Sequence, residues 1–135
     1  MKILNLLILL CLTQIMFGQT YKTFVKNFNT YDNYSIMCDL PGDLKIERWD
    51  KPYCQLVYGI KIINFGDNIL SKLVSSGRYD VNVNNNLNHT QITIPNIKNF
   101  VMVNGIDLEE EFIFIIKVPN HFNVIKKKIL EQTLQ

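Results

Sequence analysis

Hydrophobic and polar positions alternate with a period of two along most of this chain, the signature of half-buried β-strands. Tyr34, Ile36, Cys38 and Leu40 alternate with Ser35, Met37 and Asp39, and the Pro41-Gly42-Asp43 turn follows. Leu44 and Ile46 then oppose Lys45 and Glu47, and a break at Asp50-Lys51-Pro52 precedes Cys54, Leu56, Tyr58, Ile60 and Ile62. Strict counting puts Trp49 on the charged side with Lys45 and Glu47. It is therefore either an amphipathic surface aromatic, or a bulge near Asp50 turns it inward. Further strands are expected at Tyr79–Val83, at Gln91–Ile94 before Pro95, and at Phe100–Val103. The last of these ends in Asn104-Gly105, a two-residue hairpin signal. The almost uninterrupted apolar run Phe112–Val118 predicts a central strand covered on both faces. Gln19–Asn33 is mixed and reads as a frayed start or an edge strand. Val124–Gln135 fits either a strand start or a terminal amphipathic helix.

The period changes once, after Ile63. Ile69, Leu70, Leu73 and Val74 recur at helical spacing, with Asp67 placed to cap the start and Gly77 to end the helix in a left-handed turn. A short helix over about 68–76 is expected, its apolar stripe against the sheet face that carries Leu56, Tyr58 and Ile60. The pattern as a whole predicts a mainly β protein, an antiparallel body with one short helix, in a single domain over residues 19–135.

The first eighteen residues stand outside that pattern. Met1-Lys2, the apolar run Ile3–Leu12 and a more polar stretch to Gly18 have the order of a secretory signal peptide, cleaved after Gly18. The apolar run is shorter than the roughly 20 residues a spanning helix needs. Export to the periplasm or cell surface is expected, with no transmembrane span after cleavage. Removal of the leader takes Cys11 and leaves Cys38 and Cys54. That even pair in an oxidising compartment could form a disulfide, or remain as two buried thiols. A net charge of +2 is too small for a nucleic-acid partner, which needs a clustered basic face. Lys126, Lys127 and Lys128 gather at the tail instead.

Little in the sequence points to reaction chemistry. His89 and His121 sit in polar turns without a second ligand at metal-binding spacing. There is no nucleophile motif and no glycine-rich phosphate loop, so no catalytic residue, metal ligand or cofactor is assigned. Asp107, Glu109, Glu110 and Glu111 form an acidic cluster, the best candidate for a calcium site, although adjacent strand residues point to opposite faces, which works against convergence. Trp49, Tyr53 and Tyr58 are the candidate ligand surface, aromatics flanked by Arg48 and Asp50 that could stack on sugars or anchor a protein.

Pro41-Gly42-Asp43, the segment Leu44–Tyr53, the helix ending Ser76-Gly77-Arg78-Tyr79 and the strand closing on Val118-Pro119 follow one another in a recognisable order. From about Leu40 to Phe122 the chain resembles the adhesin-like domains of unknown function found in exported proteins of Gram-negative bacteria. That resemblance implies a solenoid-like body as the alternative to an antiparallel sheet, and it brings no catalytic residue with it. The expected function is a non-enzymatic, adhesin-like or envelope-associated interaction module that meets an envelope protein, surface protein or glycan. The alternatives are a carbohydrate-binding module built on exposed aromatics, and a small periplasmic hydrolase or inhibitor.

Overall fold

The computed structural model describes residues 20–127, and the leader expected at residues 1–18 lies outside them, as do residues 128–135 of the tail. The chain is mainly β with one helix, as the alternation predicts. Its strands are β1 (Thr20–Phe28), β2 (Ser35–Asp39), β3 (Asp43–Trp49), β4 (Cys54–Ile62), β5 (Asn82–Asn85), β6 (Thr90–Thr93), β7 (Met102–Val103), β8 (Ile106–Asp107), β9 (Glu110–Pro119) and β10 (Asn123–Lys126). The helix α1 spans Asp67–Ser75, and a 3-10 turn spans Pro95–Lys98. One four-stranded sheet has the order β1-β4-β9-β3 and a second has β10-β2-β6-β5, while β7 and β8 form a separate hairpin. The sheets are mixed: β1–β4, β4–β9 and β5–β6 are antiparallel, whereas β3–β9, β2–β6 and β2–β10 are parallel.

Both large sheets contribute to one core. Leu56, Tyr58, Ile60, Phe114, Ile116 and Val118 from the first sheet meet Ile36, Cys38 and Ile92 from the second. Leu70 of α1 joins them, fully buried, which accounts for the helical stripe read from the sequence. Pro41-Gly42-Asp43 is not a hairpin turn. It carries the chain from β2 in one sheet to β3 in the other, with Gly42 at φ 87°, where an added Cβ would stand only 3.3 Å from the Phe112 carbonyl oxygen. β9 inserts between β3 and β4, so these two sequence neighbours never pair. The segment Asp50–Tyr53 must therefore step over the end of β9, and that step builds the candidate site.

Three expectations need correction. The run Phe112–Val118 lies inside the sheet but is covered on one face only. Ile113 is 58 % exposed, and the outward Ile113 and Ile115 share their face with Val25 and Val57 of β1 and β4. There Val57 and Ile115, paired across the strands, are half-buried, while Ile113 faces Gly59 and stays open. Gly66, not Asp67, occupies the helix N-cap, and Asp67 falls in the first turn, where its carboxylate faces the positive end of the helix dipole. β5 begins at Asn82 rather than Tyr79, because Arg78 and Tyr79 are held in a buried polar cluster described below.

At the helix C-terminus, Gly77 has φ 77°, its N–H donates to Val74 O at 3.0 Å, and the Arg78 N–H donates to Leu73 O at 3.2 Å. This is a Schellman cap. A Cβ on Gly77 would stand 2.9 Å from Asp80 Oδ2, in a backbone region that costs an ordinary residue about 1–2 kcal/mol. Gly77→Ala is expected to lower stability by at least about 1 kcal/mol, read as a shift in the urea midpoint at unchanged m-value. An unchanged midpoint would show that the helix can end another way.

Candidate functional site

The ends of β1, β3, β4 and β9 come together at one end of the first sheet. Phe28 pairs with Cys54, and Trp49 pairs with Pro119. Trp49 continues the register of Lys45 and Glu47 without a bulge, so it is the surface aromatic of the two options read from the sequence. Its indole is half-buried and fixed: Nε1–H donates to Tyr53 O at 2.9 Å, and the Tyr53 ring meets it edge-on with centroids 5.0 Å apart. Lys51 Nζ stands 5.0 Å from the Trp49 centroid and 5.8 Å from that of Tyr53, and Lys117 Nζ lies 5.8 Å from Trp49.

Two open clefts flank this aromatic pair. One, about 250 Å³, lies between the Asp50–Pro52 step and the β9–β10 turn, and is lined by Trp49, Asp50, Lys51, Pro52, Pro119, Asn120 and His121. The other, about 270 Å³, is lined by Tyr53 with Asn27, Phe28 and Asn29. Arg48 holds the wall between β3 and the β9–β10 turn by donating to the carbonyls of Pro119 and Phe122. The aromatic surface continues onto the second sheet, where His121 meets Tyr34 at 5.2 Å and Phe122 at 4.9 Å. Sequence reasoning treated His121 only as an exposed turn residue, counted Tyr34 on the apolar side of a strand although it precedes β2 and is exposed, and passed over Asn29 and Asn120. The one available signal was the Pro119-Asn120-His121 turn directly after the apolar strand.

Tyr58 does not belong to this surface. It is 7 % exposed and lies in the core, stacked on Phe24 at 5.1 Å and on Phe114 at 6.3 Å, with its hydroxyl donating to Tyr79 O at 3.2 Å. The three aromatics grouped in the sequence therefore divide, two at the surface and one inside.

The acidic cluster is likewise dispersed. Glu111 pairs with Lys61 at 3.0 Å on the outer face. Glu110 turns inward to a bidentate pair with Arg78, whose Nε and Nη2 donate to its two carboxylate oxygens at 3.0 and 2.7 Å. The remaining Arg78 N–H groups donate to the carbonyls of Asn96, Ile97 and Asn99 at 3.2, 3.3 and 2.8 Å, and the Tyr79 hydroxyl also donates to Glu110. Both charged side chains are 8 % exposed. This cluster joins the end of α1, the 3-10 turn and the start of β9. A third cleft of about 300 Å³ borders it, but the guanidinium there is already fully engaged. Among the described residues no group of three metal-ligating side chains converges, and no helix is long and apolar enough to cross a membrane.

Cys38 and Cys54 are both buried and stand as free thiols on the two opposing sheets. Burial pushes the Cys38 thiol up to about 12 and the Cys54 thiol up to about 11. Burial, with the nearby charge of Asp80, also raises Tyr58. Tyr79 is raised first by burial and then by its bond to Glu110. All four groups hold protons that the unfolded chain releases from about pH 9 upward, so their contribution is complete below that pH and is lost as pH rises through the folded values. The urea midpoint is expected to fall between pH 8 and about pH 11, and alkylation of both thiols at neutral pH is expected only after denaturation. A midpoint that holds steady through this range, or rapid labelling of the native protein, would contradict the burial.

The chain matches no family model, no curated protein and no solved structure.

Proposed function

We propose that this protein is an exported, non-enzymatic interaction module of the adhesin-like or envelope-associated kind, with the Trp49–Tyr53 end as its contact surface. The observation that carries this reading is the posed aromatic pair between two open clefts. An indole held by its own hydrogen bond loses little freedom on binding, and partly exposed Trp and Tyr side chains are the residue types that dominate contact energies. The surrounding loops lie at the strand ends, where binding residues are carried on a rigid sheet. The resemblance of residues 40–122 to adhesin-like domains, and the order of charges and apolar residues in the leader, point the same way.

The reading is tested by recovering the exported protein, confirming by mass that it begins near Gln19, and measuring its retention on intact cells and isolated envelopes. Trp49→Ala and Tyr53→Ala variants that stay folded by circular dichroism should lose most of that retention. Equal retention of both variants would remove this end of the molecule as the contact surface. A protein recovered from the cytosol with its first eighteen residues intact would overturn export.

A further inference from the structure

We infer that the two clefts beside Trp49 and Tyr53 form one binding site for an oligosaccharide carrying acidic sugars, with one sugar unit in each cleft. The inference rests on the reading of this end as the contact surface and names its ligand. Each cleft pairs an aromatic ring with small polar side chains: Asn27 and Asn29 beside Tyr53, and Asp50, Asn120 and His121 beside Trp49. A sugar presents an apolar face of C–H groups and a rim of hydroxyls. It therefore needs a ring to stack on and amide, carboxylate or imidazole groups around that ring. The volumes, about 270 and 250 Å³, are each below the range of sites for drug-sized ligands, which suits one small unit in each rather than one large ligand in either.

The charge around the rings selects an acidic sugar. Lys51 stands over both rings and, among the described residues, has no carboxylate within 4.0 Å. Lys117 stands over Trp49 and shares Glu47 with Lys45, so two ammonium groups divide one carboxylate. Arg48 directs its guanidinium to the carbonyls of Pro119 and Phe122 and carries no counter-charge there. Asp50 is the one acid in the Trp49 cleft. The result is an excess of positive charge beside an aromatic platform, which favours a ligand with carboxylate groups on stackable rings.

Trp49 is the chain's single tryptophan, so its emission reports on the site without interference. Titration of the exported protein with an oligogalacturonate should change that emission saturably, and the apparent affinity should fall as salt is raised. Lys51→Ala and Tyr53→Ala should each weaken binding by about tenfold or more, with the circular dichroism of the folded protein preserved. Trp49→Phe, followed by calorimetry, should retain part of the affinity because a ring remains. Neutral gluco-oligosaccharides binding as tightly would overturn the acidic assignment, and a single-stranded oligonucleotide binding more tightly would overturn the saccharide. If no saccharide shifts Trp49 emission while envelope retention still depends on Trp49, the saccharide falls and the interaction reading stands. If envelope retention is also insensitive to Trp49, both fall together.

Discussion

Arg78→Ala is expected to destabilise the protein by about 3–5 kcal/mol, a large share of the roughly 5–15 kcal/mol that holds an ordinary domain folded. The substitution strands the Glu110 carboxylate, 8 % exposed, with only the Tyr79 hydroxyl as a donor, and it leaves the carbonyls of Asn96, Ile97 and Asn99 without the guanidinium. The cost comes mainly from that uncompensated charge, not from the net worth of the pair, since two charges brought out of water together roughly break even. Arg78→Met combined with Glu110→Leu should therefore recover part of the loss. Recovery stays incomplete because the three carbonyls and the Tyr79 hydroxyl still lack their partners. Arg78→Lys should fall close to alanine, as an ammonium cannot make the bidentate contact and reach the 3-10 turn at once. Urea midpoints of the four proteins decide it. A shift for Arg78→Ala below about 1 kcal/mol would mean that the cluster is solvated and behaves as a surface ion pair.

That cluster also shows where the sequence stopped being readable. A period of two reports which face a residue occupies but not which strand lies beside it. The alternation of Leu56, Ile60 and Ile62 placed all three in the core correctly, and the same counting put Trp49 on the outer face. Local turn chemistry was equally legible. Asn104 and Gly105 both take positive φ, 51° and 78°, and close the β7–β8 hairpin, while Gly77 ends α1. What the sequence could not show was the insertion of β9 between β3 and β4, or the assignment of β2 and β3 to different sheets. Those pairings join distant segments, and no local residue pattern encodes them. The Glu110–Arg78 contact and both clefts follow from that long-range order, so they were hidden with it. For Tyr58 the signal was present but overruled. Its parity with Leu56 and Ile60 already separated it from Trp49, yet its residue type and nearness in sequence grouped the two.

Tyr58→Ala provides the sharpest separation of packing from recognition at this end of the chain. The ring lies between Phe24 and Phe114, and its hydroxyl bonds Tyr79 O, so truncation opens a cavity and removes a buried donor at once. Removal of a large buried ring ordinarily costs about 3–5 kcal/mol, with the spread set by how far the surroundings collapse. Here collapse is limited: Phe114 also stacks on Phe112 at 6.2 Å, and the Tyr79 side chain is tied to Glu110. Tyr58→Phe isolates the hydroxyl and should cost about 1 kcal/mol, the usual worth of one such bond. Trp49→Ala is expected to behave differently. Its indole is half-buried at a sheet edge and its loss leaves the core intact, so thermal unfolding should stay cooperative while envelope retention is lost. If Trp49→Ala unfolds the protein and Tyr58→Ala leaves it stable with binding impaired, the two rings have exchanged roles and the contact surface lies elsewhere. A folded Trp49→Ala beside a destabilised Tyr58→Ala makes the end of the sheet available for recognition without a demand on the fold.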